Sequence, residues 1–491
     1  MTERPGVTDA DSRTIPAPRP ASGTSGPLTP AERAAVGRAA RAAVPRSAHA
    51  QLDTQEGGPD PVDLLASQAE SREPSLVPIR YGRMAVSPFA YYRGAALPMA
   101  ADLSRTPTSG LRVQVCGDAH LLNFGVYASA ERKMIFDLND FDETLPGPWE
   151  WDVKRLAASV AVAGRERGFT EKQRSTALLA TVGSYRTSMA EFAALRNLEV
   201  WYSKLDSEQV MQILGRQKSS ARDAQVVRRG RRAVAKAAGR SSLQAAASLT
   251  AIVDGRPQFV PRPPIVERLT DLMPEDQRHA LEDRLAALIH SYAQSMPTDR
   301  RHLIGQFRVA DMARKVVGVG SVGTRCWIIL LHGRDGDDPL ILQAKEAQPS
   351  VLERFLEPTS FDSQGERVVA GQRLMQASSD IFLGWDRVHG IDGQRRDFYL
   401  RQLRDGKGSF DISAMIPEGL VTYGRICGWT LARAHARSGD RIAIAAYLGS
   451  SDVFDRAIAA FAEAYADKNE RDHAALVKAI DDGRLQALSG V

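Results

Sequence analysis

The chain has 491 residues, 43% of them apolar and 25% charged, and its 64 Lys and Arg against 59 Asp and Glu give a formal charge of +5. This balance is typical of a globular protein and excludes a collagen, a fully disordered chain and a coiled coil. No window approaches ~18 consecutive apolar residues, so we predict no transmembrane helix. The three distant cysteines and the nine histidines form neither a disulfide framework nor a zinc motif. The N-terminus has no apolar signal region, so we expect a cytoplasmic location.

The first predicted element is a head with one short helix. Residues 1–27 are rich in Pro, Ser, Thr and Gly and are predicted to be disordered. Thr29 and Glu32 have the spacing of a capping box, which begins a helix that ends near Ala43. Residues 45–60 are predicted to be a linker, and the folded part is expected to begin after them.

Short strands and long helices are predicted next. Leu111–Cys116 and Lys133–Leu138 have the apolar patterns of strands. Trp151–Arg167 and Glu171–Leu195 have helical periodicity, and mostly helical patterns continue to about Met296.

The pattern becomes rich in β-branched residues after residue 300. We predict strands over Val316–Val322, Cys326–His332, Pro339–Ala344 and Asp397–Leu403. Arg334–Asp338 is predicted to be the turn between the second and third of these strands. From Val421 onward the pattern is helical again.

The net charge is concentrated in one segment. Residues 216–240 contain nine basic residues and one acid, a net +8 that leaves about −3 for the rest of the chain. Such a segment is either a patch for nucleic acid or another polyanion, or a solvated helical face. No aromatic residue lies among the charges, which weakens a stacking site for single strands. We therefore favour the solvated face and expect no nucleic-acid partner. The basic residues are Arg216, Lys218, Arg222, Arg228, Arg229, Arg231, Arg232, Lys236 and Arg240.

Two loops that follow successive predicted strands carry carboxylates. Asp118 and Asn123 follow the first strand, and Asp137 and Asp140 lie at the end of the second. Phosphoryl transfer from ATP needs one Asp that orients or deprotonates the acceptor hydroxyl, and an Asn and another Asp that hold Mg²⁺. Turn capping is the alternative, but two such loops favour a site. We assign Asp118 as the catalytic residue. We assign Asn123 and Asp140 to the metal, with Asp137 as a further candidate.

The interval after Asp140 is short. Asp152 begins a helix only twelve residues later, and we expect it to cap or brace the loop. A long, phosphorylatable activation segment does not fit into this interval.

A glycine motif overlaps the strand predicted over Val316–Val322 and precedes the one predicted over Cys326–His332. Gly318, Gly320 and Gly323 form a GxGxxG pattern that includes Ser321. A dinucleotide-binding fold needs a helix directly after the last glycine, but the segment that follows here is β-rich. A glycine loop inside a β-hairpin is the way in which kinases cover the phosphates of ATP. We therefore assign these four residues to nucleotide binding.

The strand after this hairpin supplies a lysine. Lys345 ends a Gln-Ala-Lys sequence that loosely matches the A-x-K of kinases, and it would bind the α- and β-phosphates. Its expected carboxylate partner on a helix is Glu366, with Glu353 as the alternative.

Taken together, these residues resemble the protein-kinase-like superfamily, nearest to its aminoglycoside and choline phosphotransferase branch. The pattern of that branch is GD-x4-N, a strand with an Asp, and a further Asp about twelve residues on. Asp118, Asn123, Asp140 and Asp152 match it. The His or Arg that usually precedes the catalytic Asp is absent, since a Cys-Gly pair stands there.

More closely, the chain resembles a bacterial family catalogued as domain of unknown function 2252, over about residues 60–480. The resemblance rests on four runs, Ile79–Met84, Ser87–Gly94, Cys116–Asn123 and Phe136–Asp152. The family label by itself implies no activity.

The order of the motifs departs from that of a kinase. Asp118 precedes Gly318 by 200 residues, and Gly428–Ala436 resembles the helix that normally leads into the catalytic loop. We therefore predict an α+β, protein-kinase-like, two-lobed fold that is circularly permuted. The predicted parts are a disordered head with a short helix (1–60), a helical large lobe with the catalytic and metal loops (61–300), a β-rich nucleotide-binding small lobe (301–405) and helices that complete the large lobe (406–491).

The sequence thus predicts a phosphotransferase that uses ATP and Mg²⁺ to phosphorylate a hydroxyl of a small molecule, with no membrane partner. Three alternatives stay open at this point. They are an ATP-binding regulator without chemistry (a pseudokinase), a nucleotidyl transferase, and a basic nucleic-acid-binding module formed by residues 216–240.

Overall fold

The computed structural model describes residues 28–53, 58–216, 221–239, 242–253, 255–273, 275, 281–390, 393–403 and 406–490. The helices are α1 (Pro30–Ala43), α2 (Pro61–Ala69), α3 (Val77–Ala85), α4 (Pro88–Gly94), α5 (Ala96–Leu103), α6 (Trp149–Glu166), α7 (Glu171–Ala194), α8 (Asn197–Tyr202), α9 (Ser207–Arg216), α10 (Ala221–Ala238), α11 (Ser242–Leu249), α12 (Leu269–Leu272), α13 (Leu281–Ala293), α14 (Thr298–Ile304), α15 (Gln364–Met375), α16 (Pro417–Ser438), α17 (Arg441–Leu448) and α18 (Val453–Asp481). The strands are β1 (Arg112–Val115), β2 (Phe124–Ala128), β3 (Met134–Leu138), β4 (Leu145–Pro148), β5 (Leu205–Asp206), β6 (Thr250–Val253), β7 (Arg256–Phe259), β8 (Val266–Arg268), β9 (Arg308–Lys315), β10 (Cys326–His332), β11 (Pro339–Ala347), β12 (Gly384–His389) and β13 (Arg395–Gln402).

The predicted α+β class is confirmed. The largest sheet has six strands in the order β12-β13-β11-β10-β9-β8, and its neighbouring strands are antiparallel. Smaller sheets pair β2, β3 and β5, β1 with β4, and β6 with β7. Among the described residues, no helix is long and apolar enough to cross a bilayer.

The six-stranded sheet is buried on both faces. Ile329 and Leu331 of β10 belong to an apolar cluster that α13 covers, while Ile328 and Leu330 belong to a second cluster under α11. A strand buried on both faces carries a continuous apolar run instead of an alternating one, which explains the run of five apolar residues from Trp327. Since β8, α11 and α13 are parts of this unit, the sheet and its cover begin before the predicted boundary at residue 301.

Several predicted elements are confirmed nearly to the residue. The Thr29–Glu32 capping box begins α1, with Glu32 accepting from Thr29 N at 2.8 Å. The strand predicted over Cys326–His332 is β10, and the helix predicted over Glu171–Leu195 is α7. These elements were predictable because their signals, a cap, an apolar run and a helical period, are local.

The strand predicted over Val316–Val322 is wrong. β9 ends at Lys315, and the following residues form the glycine loop, in which Gly318 and Gly323 have φ of +70° and +91°. Val316 and Val322 are buried because they pack in a cluster with Leu76 and Ile79. Their β-branched pattern therefore reflects packing against α3 and the turn before it, not strand pairing.

The linker predicted over residues 45–60 is also wrong in its first part. Arg46–Ala50 forms a 3₁₀ helix, and the buried His49 shares a hydrogen bond of 2.6 Å with the Tyr447 hydroxyl of α17. Residues 1–27, predicted to be disordered, and 54–57 lie outside the described residues.

The main core lies where α6, α7, α16 and α18 pack together, and α7 and α16 approach each other most closely at two glycines. A Cβ atom on Gly424 would lie 2.1 Å from Thr181 Oγ1, and one on Gly428 would lie 2.3 Å from the Thr181 carbonyl oxygen. Small residues allow two helix backbones to come this close. Helix α16 is thereby held in the position from which it supports the site described below.

We predict that Gly428→Ala destabilises the protein by about 1–3 kcal/mol, because the added methyl group overpacks a helix interface. Helix propensity alone would instead raise the free energy of unfolding by about 0.8–1.0 kcal/mol, because alanine favours a helix more than glycine does. The free energy of unfolding from urea titration measures the difference. The control is Gly336→Ala, in an exposed turn where no atom lies within 4 Å of an added Cβ. A Gly428→Ala protein as stable as the wild type would contradict the close helix packing.

Candidate functional site

The two carboxylate loops and the glycine loop meet at one cavity. Its volume is about 530 Å³, and it is lined by Asp118, Asn123, Asp140, Gly320 and Ser321, among others. Lys345 reaches the same place from β11, with its Nζ 3.4 Å from Asp140 Oδ1. Residues that lie about 200 positions apart in the chain are therefore brought into contact, as the permutation hypothesis requires.

Helix α6 holds the loop that follows β1. Asp152 accepts hydrogen bonds from the backbone N–H groups of Cys116 (2.7 Å) and Gly117 (3.0 Å). One turn further along the helix, Arg155 forms an ion pair with Asp118 at 2.6 Å. The bracing role predicted for Asp152 is thus confirmed. The first strand ends in this loop because Gly117 adopts a φ of +80°, which a residue with a side chain rarely adopts.

Asp118 lies at the wall of the cavity with a firmly held carboxylate. The Arg155 guanidinium that binds it also stacks on the Tyr92 ring at 4.0 Å and donates to the Tyr92 carbonyl at 2.7 Å. Burial raises the pKa of Asp118 above its ordinary value, although Arg155 opposes the shift. Asn123 Nδ2 donates to the Asp118 backbone oxygen at 2.6 Å, so the two predicted residues lie side by side.

Asp137 lies in the interior and is not part of the cavity lining. It pairs with the buried Arg433 of α16, and its carboxylate also accepts from the backbone N–H groups of Leu138 (2.9 Å) and Ala377 (2.8 Å). Its side chain is only 1% exposed. These contacts describe a structural ion pair, so Asp140 is the one of the two candidate metal ligands that faces the cavity.

Lys345 is bound by two carboxylates of the acidic loop. Its Nζ lies 2.6 Å from Asp142 Oδ2 and 3.4 Å from Asp140 Oδ1. Burial alone would lower the pKa of Lys345, but the two carboxylates outweigh it and hold that pKa well above its ordinary value. Burial and the neighbouring Asp142 raise the pKa of Asp140. The pKa of Asp142 is lowered, since Lys345 and the Tyr399 hydroxyl, which donates at 2.5 Å, overcome the effect of burial.

Neither of the two predicted carboxylate partners of Lys345, Glu366 and Glu353, forms an ion pair with it among the described residues. Glu366 is in the first turn of α15, where its backbone N–H is capped by Ser363 Oγ at 3.4 Å. Glu353 caps its own short helix by accepting from Ser350 N at 3.4 Å. The helix α15 contacts the acidic loop instead through the buried Arg367, which donates to the backbone oxygens of Asp142 and Thr144 at 2.8 and 2.6 Å. Among the described residues, the ion pairs of Lys345 go to the acidic loop and not to Glu366 or Glu353.

The glycine loop connects the antiparallel strands β9 and β10, as predicted, and residues 72–93 hold it from outside. Arg83 donates to the Gly318 carbonyl at 2.6 Å, and Glu73 N donates to the Gly323 carbonyl at 2.8 Å. Ser321 Oγ lies 3.4 Å from Asp142 Oδ2. A Cβ atom on Gly320 would lie 3.0 Å from a backbone oxygen of α4, so the loop approaches this helix closely.

Sequence reasoning missed three functional side chains of this site. Asp142 follows Asp140 by two residues in an acidic run, which was a visible signal. Arg155 follows Asp152 by three residues, the spacing at which two side chains share one helix face. The third, Tyr399, lies in a predicted strand and showed no distinguishing local signal.

The oxygen atoms of Asn123 and Asp140 could bind Mg²⁺ together with phosphate oxygens, since Mg²⁺ in nucleotide sites takes few protein ligands. Over the described ranges, no three or more His, Cys, Asp or Glu side chains are grouped so that they could hold a metal ion.

Residues 72–479 match the family described as "Uncharacterized protein conserved in bacteria (DUF2252)", and the chain belongs to this family. The resemblance that the sequence suggested over about residues 60–480 is confirmed. No curated protein and no solved structure matches the chain significantly.

We predict a pH-dependent effect for Glu143, which lines the cavity and accepts from Val351 N at 2.7 Å. Burial raises the pKa of Glu143 from 4.5 to about 7. The folded state therefore binds this proton more tightly than the unfolded state. The stability that results is present below about pH 4.5 and is lost as the pH rises to about 7.

Glu143→Gln removes this titration. Relative to wild type, the free energy of unfolding of the variant should rise by about 1–3 kcal/mol between about pH 4.5 and 7.5, measured by urea titration at each pH. The matched control is Glu357→Gln, whose side chain is 82% exposed. If the difference between Glu143→Gln and wild type is constant over this range, the buried, proton-binding state of Glu143 is refuted.

Proposed function

We propose that this protein transfers a phosphoryl group from Mg-ATP to a hydroxyl of a small molecule. The observation that carries the proposal is the meeting of Asp118, Asn123, Asp140 and Lys345 with a glycine-loop hairpin around one cavity. Phosphoryl transfer depends on positioning and on the neutralisation of charge, and these residues supply both.

Each residue has a role that its surroundings support. The backbone of the glycine loop and the Lys345 ammonium bind the phosphates. Asn123 and Asp140 would hold Mg²⁺, which would neutralise charge on the phosphates. Asp118 orients the acceptor hydroxyl and takes its proton. The ion pair with Arg155 weakens Asp118 as a base, but a loose transition state requires orientation more than strong basicity.

The order of elements supports the proposed kinase-like, circularly permuted fold. A small kinase-type lobe consists of a hairpin with a glycine loop, a strand with a lysine, a helix and two further strands, and β9, β10, β11, α15, β12 and β13 have this order. Helix α16 follows them and packs against the loop after β1, since the Tyr423 hydroxyl lies 2.8 Å from the Leu121 carbonyl oxygen. In a usual kinase order, β1 would come directly after such a helix.

A small acceptor is favoured by the interval after the acidic loop. Between Asp142 and α6 the chain forms only β4, which pairs with β1. No room is left there for a segment that would bind an extended peptide.

The proposed activity can be tested with a library of hydroxylated metabolites. The protein is first screened for thermal stabilisation by Mg-ATP, and each candidate acceptor is then incubated with Mg-ATP and analysed by mass spectrometry. A product heavier by one phosphate supports phosphoryl transfer. A product that carries AMP indicates a nucleotidyl transferase instead, and nucleotide binding without any product indicates an inactive ATP-binding regulator.

We predict that Asp118→Ala and Asp140→Ala each reduce turnover by at least about 10²–10⁴-fold, because one removes the group that orients the hydroxyl and the other a metal ligand. Asp118→Ala should bind Mg-ATP nearly as the wild type does, whereas Asp140→Ala should bind it more weakly. Calorimetric titration measures this binding. Glu357→Gln is the control for turnover, because the Glu357 side chain is 82% exposed. Unchanged turnover in Asp118→Ala would overturn the assignment of the catalytic residue.

A further inference from the structure

A second cavity lies between α10 and the N-terminal part of α16. Its volume is about 310 Å³, at the lower end of the range of about 300–1,000 Å³ that is typical of small-molecule sites. The proposed phosphotransferase site does not include this cavity, and nothing in the argument below depends on that activity. The cavity is of interest because it is bordered by the basic segment, which has no role in the proposed activity.

The basic segment is confirmed as a helix with a solvated basic face over its described side chains. In α10, Val227, Gly230 and Ala237 are buried, and they follow one another at helical spacing. The described basic side chains are all exposed. They are Arg228, Arg229, Arg231, Arg232 and Lys236. Lys218 and Arg240 lie outside the described residues, as do the side chains of Arg216 and Arg222.

Of the basic side chains that the structure describes, two border the cavity. Arg229 and Arg232 line it, whereas Arg228 and Arg231 do not. Arg229 donates to the carbonyl oxygen of Ala414, which joins α10 to the segment before α16. A guanidinium carries five N–H donors, so this contact leaves others for a ligand. Asp411, the one acid in the described lining, accepts from Ser413 N (3.0 Å) and Oγ (2.6 Å). The described lining therefore carries a net charge of +1.

The rest of the wall is apolar. Phe410, Met415, Ile416, Tyr423 and Ile426 contribute its larger side chains. The Phe410 and Tyr423 rings pack against each other at 5.2 Å, so this part of the wall is firm. Apolar ligand surface gains free energy by leaving water for such a wall, while an anionic group gains charge-assisted hydrogen bonds from arginine.

We infer that this cavity binds a small amphiphile with a single anionic head group and an unbranched apolar tail, such as a medium-chain carboxylate. The tail lies against the wall of Phe410, Met415 and Tyr423, and the head group binds Arg229 and Arg232. A nucleic acid fits this site poorly, since a polyanion gains nothing from an apolar cavity. The occupant is a monomeric amphiphile from solution, because a cavity of about 310 Å³ has room for one short chain.

The bound tail would also contact a support of the first cavity. The Tyr423 hydroxyl lies 2.8 and 2.9 Å from the backbone oxygens of Leu121 and Phe124. These residues flank Asn123 in the loop that follows Asp118. Binding of the amphiphile is therefore expected to slow amide hydrogen exchange in residues 121–124.

The test uses the full-length protein and decanoate below its micellar concentration, with decanol and decyltrimethylammonium as neutral and cationic probes. Calorimetric titration should detect decanoate binding that is about tenfold or more tighter than that of either probe. Equal affinities for all three probes, or no binding of decanoate, would overturn the inference.

Two double variants with the same change of charge locate the site. Arg229→Glu/Arg232→Glu should weaken decanoate binding about tenfold or more, whereas Arg228→Glu/Arg231→Glu, on the same helix but outside the cavity, should change it less than about twofold. An equal loss in both variants would indicate a diffuse surface effect and overturn the inference. Ala233→Phe, which fills the cavity without a charge change, should also abolish binding and guards against a folding defect in the charge variants.

Two further arms test the source of the ligand. Vesicles of anionic phosphatidylglycerol and of neutral phosphatidylcholine are sedimented with the protein, and a duplex oligonucleotide is titrated at low and high salt. We expect the two double variants to sediment with each kind of vesicle to the same extent and to bind the oligonucleotide equally. If the protein sediments with anionic vesicles, and only Arg229→Glu/Arg232→Glu abolishes this, the site binds a membrane lipid. That outcome would overturn the inference of a monomeric occupant. The same selective loss in oligonucleotide binding would assign the site to nucleic acid and overturn that inference as well.

Discussion

Lys345 is a cation at 3% exposure, held between Asp142 and Asp140 at 2.6 and 3.4 Å. Taking a charge out of water costs several kcal/mol, and only well-placed opposite charges offset that cost. The carboxylates belong to the loop after β3, while the ammonium belongs to β11. This contact therefore joins the six-stranded sheet to the helical part of the molecule, and its two carboxylates line the cavity of the candidate site. The repulsion between the two carboxylates adds to burial in raising the pKa of Asp140, and the lysine between them opposes that shift.

The loops around this ion pair are held by rigid elements on each side. Helix α6 binds the first loop through Asp152 and Arg155, and residues 72–93 bind the glycine loop through backbone oxygens. Helix α16 contributes Arg433 to the buried Asp137 and Tyr423 to the loop after Asp118. Catalytic groups need supports of this kind, because a site that is loose by about 1 Å loses much of its effect.

The two cavities described above differ in charge and in polarity. The larger one is lined by carboxylates, two of which, Asp140 and Asp142, contact Lys345. The smaller one combines an apolar wall with two arginines, a composition suited to an amphipathic anion. Over its described residues, the basic segment that dominates the net charge of the chain borders the second cavity and not the first. Net charge therefore indicates little about the first site, and the +8 segment is informative only once its helix is seen to border a cavity.

The elements with local signals and the residue types of the candidate site could be predicted from the sequence. The cap at Thr29, the apolar run of β10, the two carboxylate loops, the hairpin position of the glycine loop and the lysine of β11 were all readable, because each depends on a few neighbouring residues. Tertiary structure alone decided the pairings. The sequence favoured Asp140 and kept Asp137 as a further candidate, and the ion pair of Asp137 with the buried Arg433 of α16 leaves Asp140 as the one that faces the cavity. Lys345 pairs with Asp142 instead of Glu366, because the acidic loop reaches β11 from a segment 200 residues away. Such choices depend on burial and on contacts between distant segments, which no local pattern records.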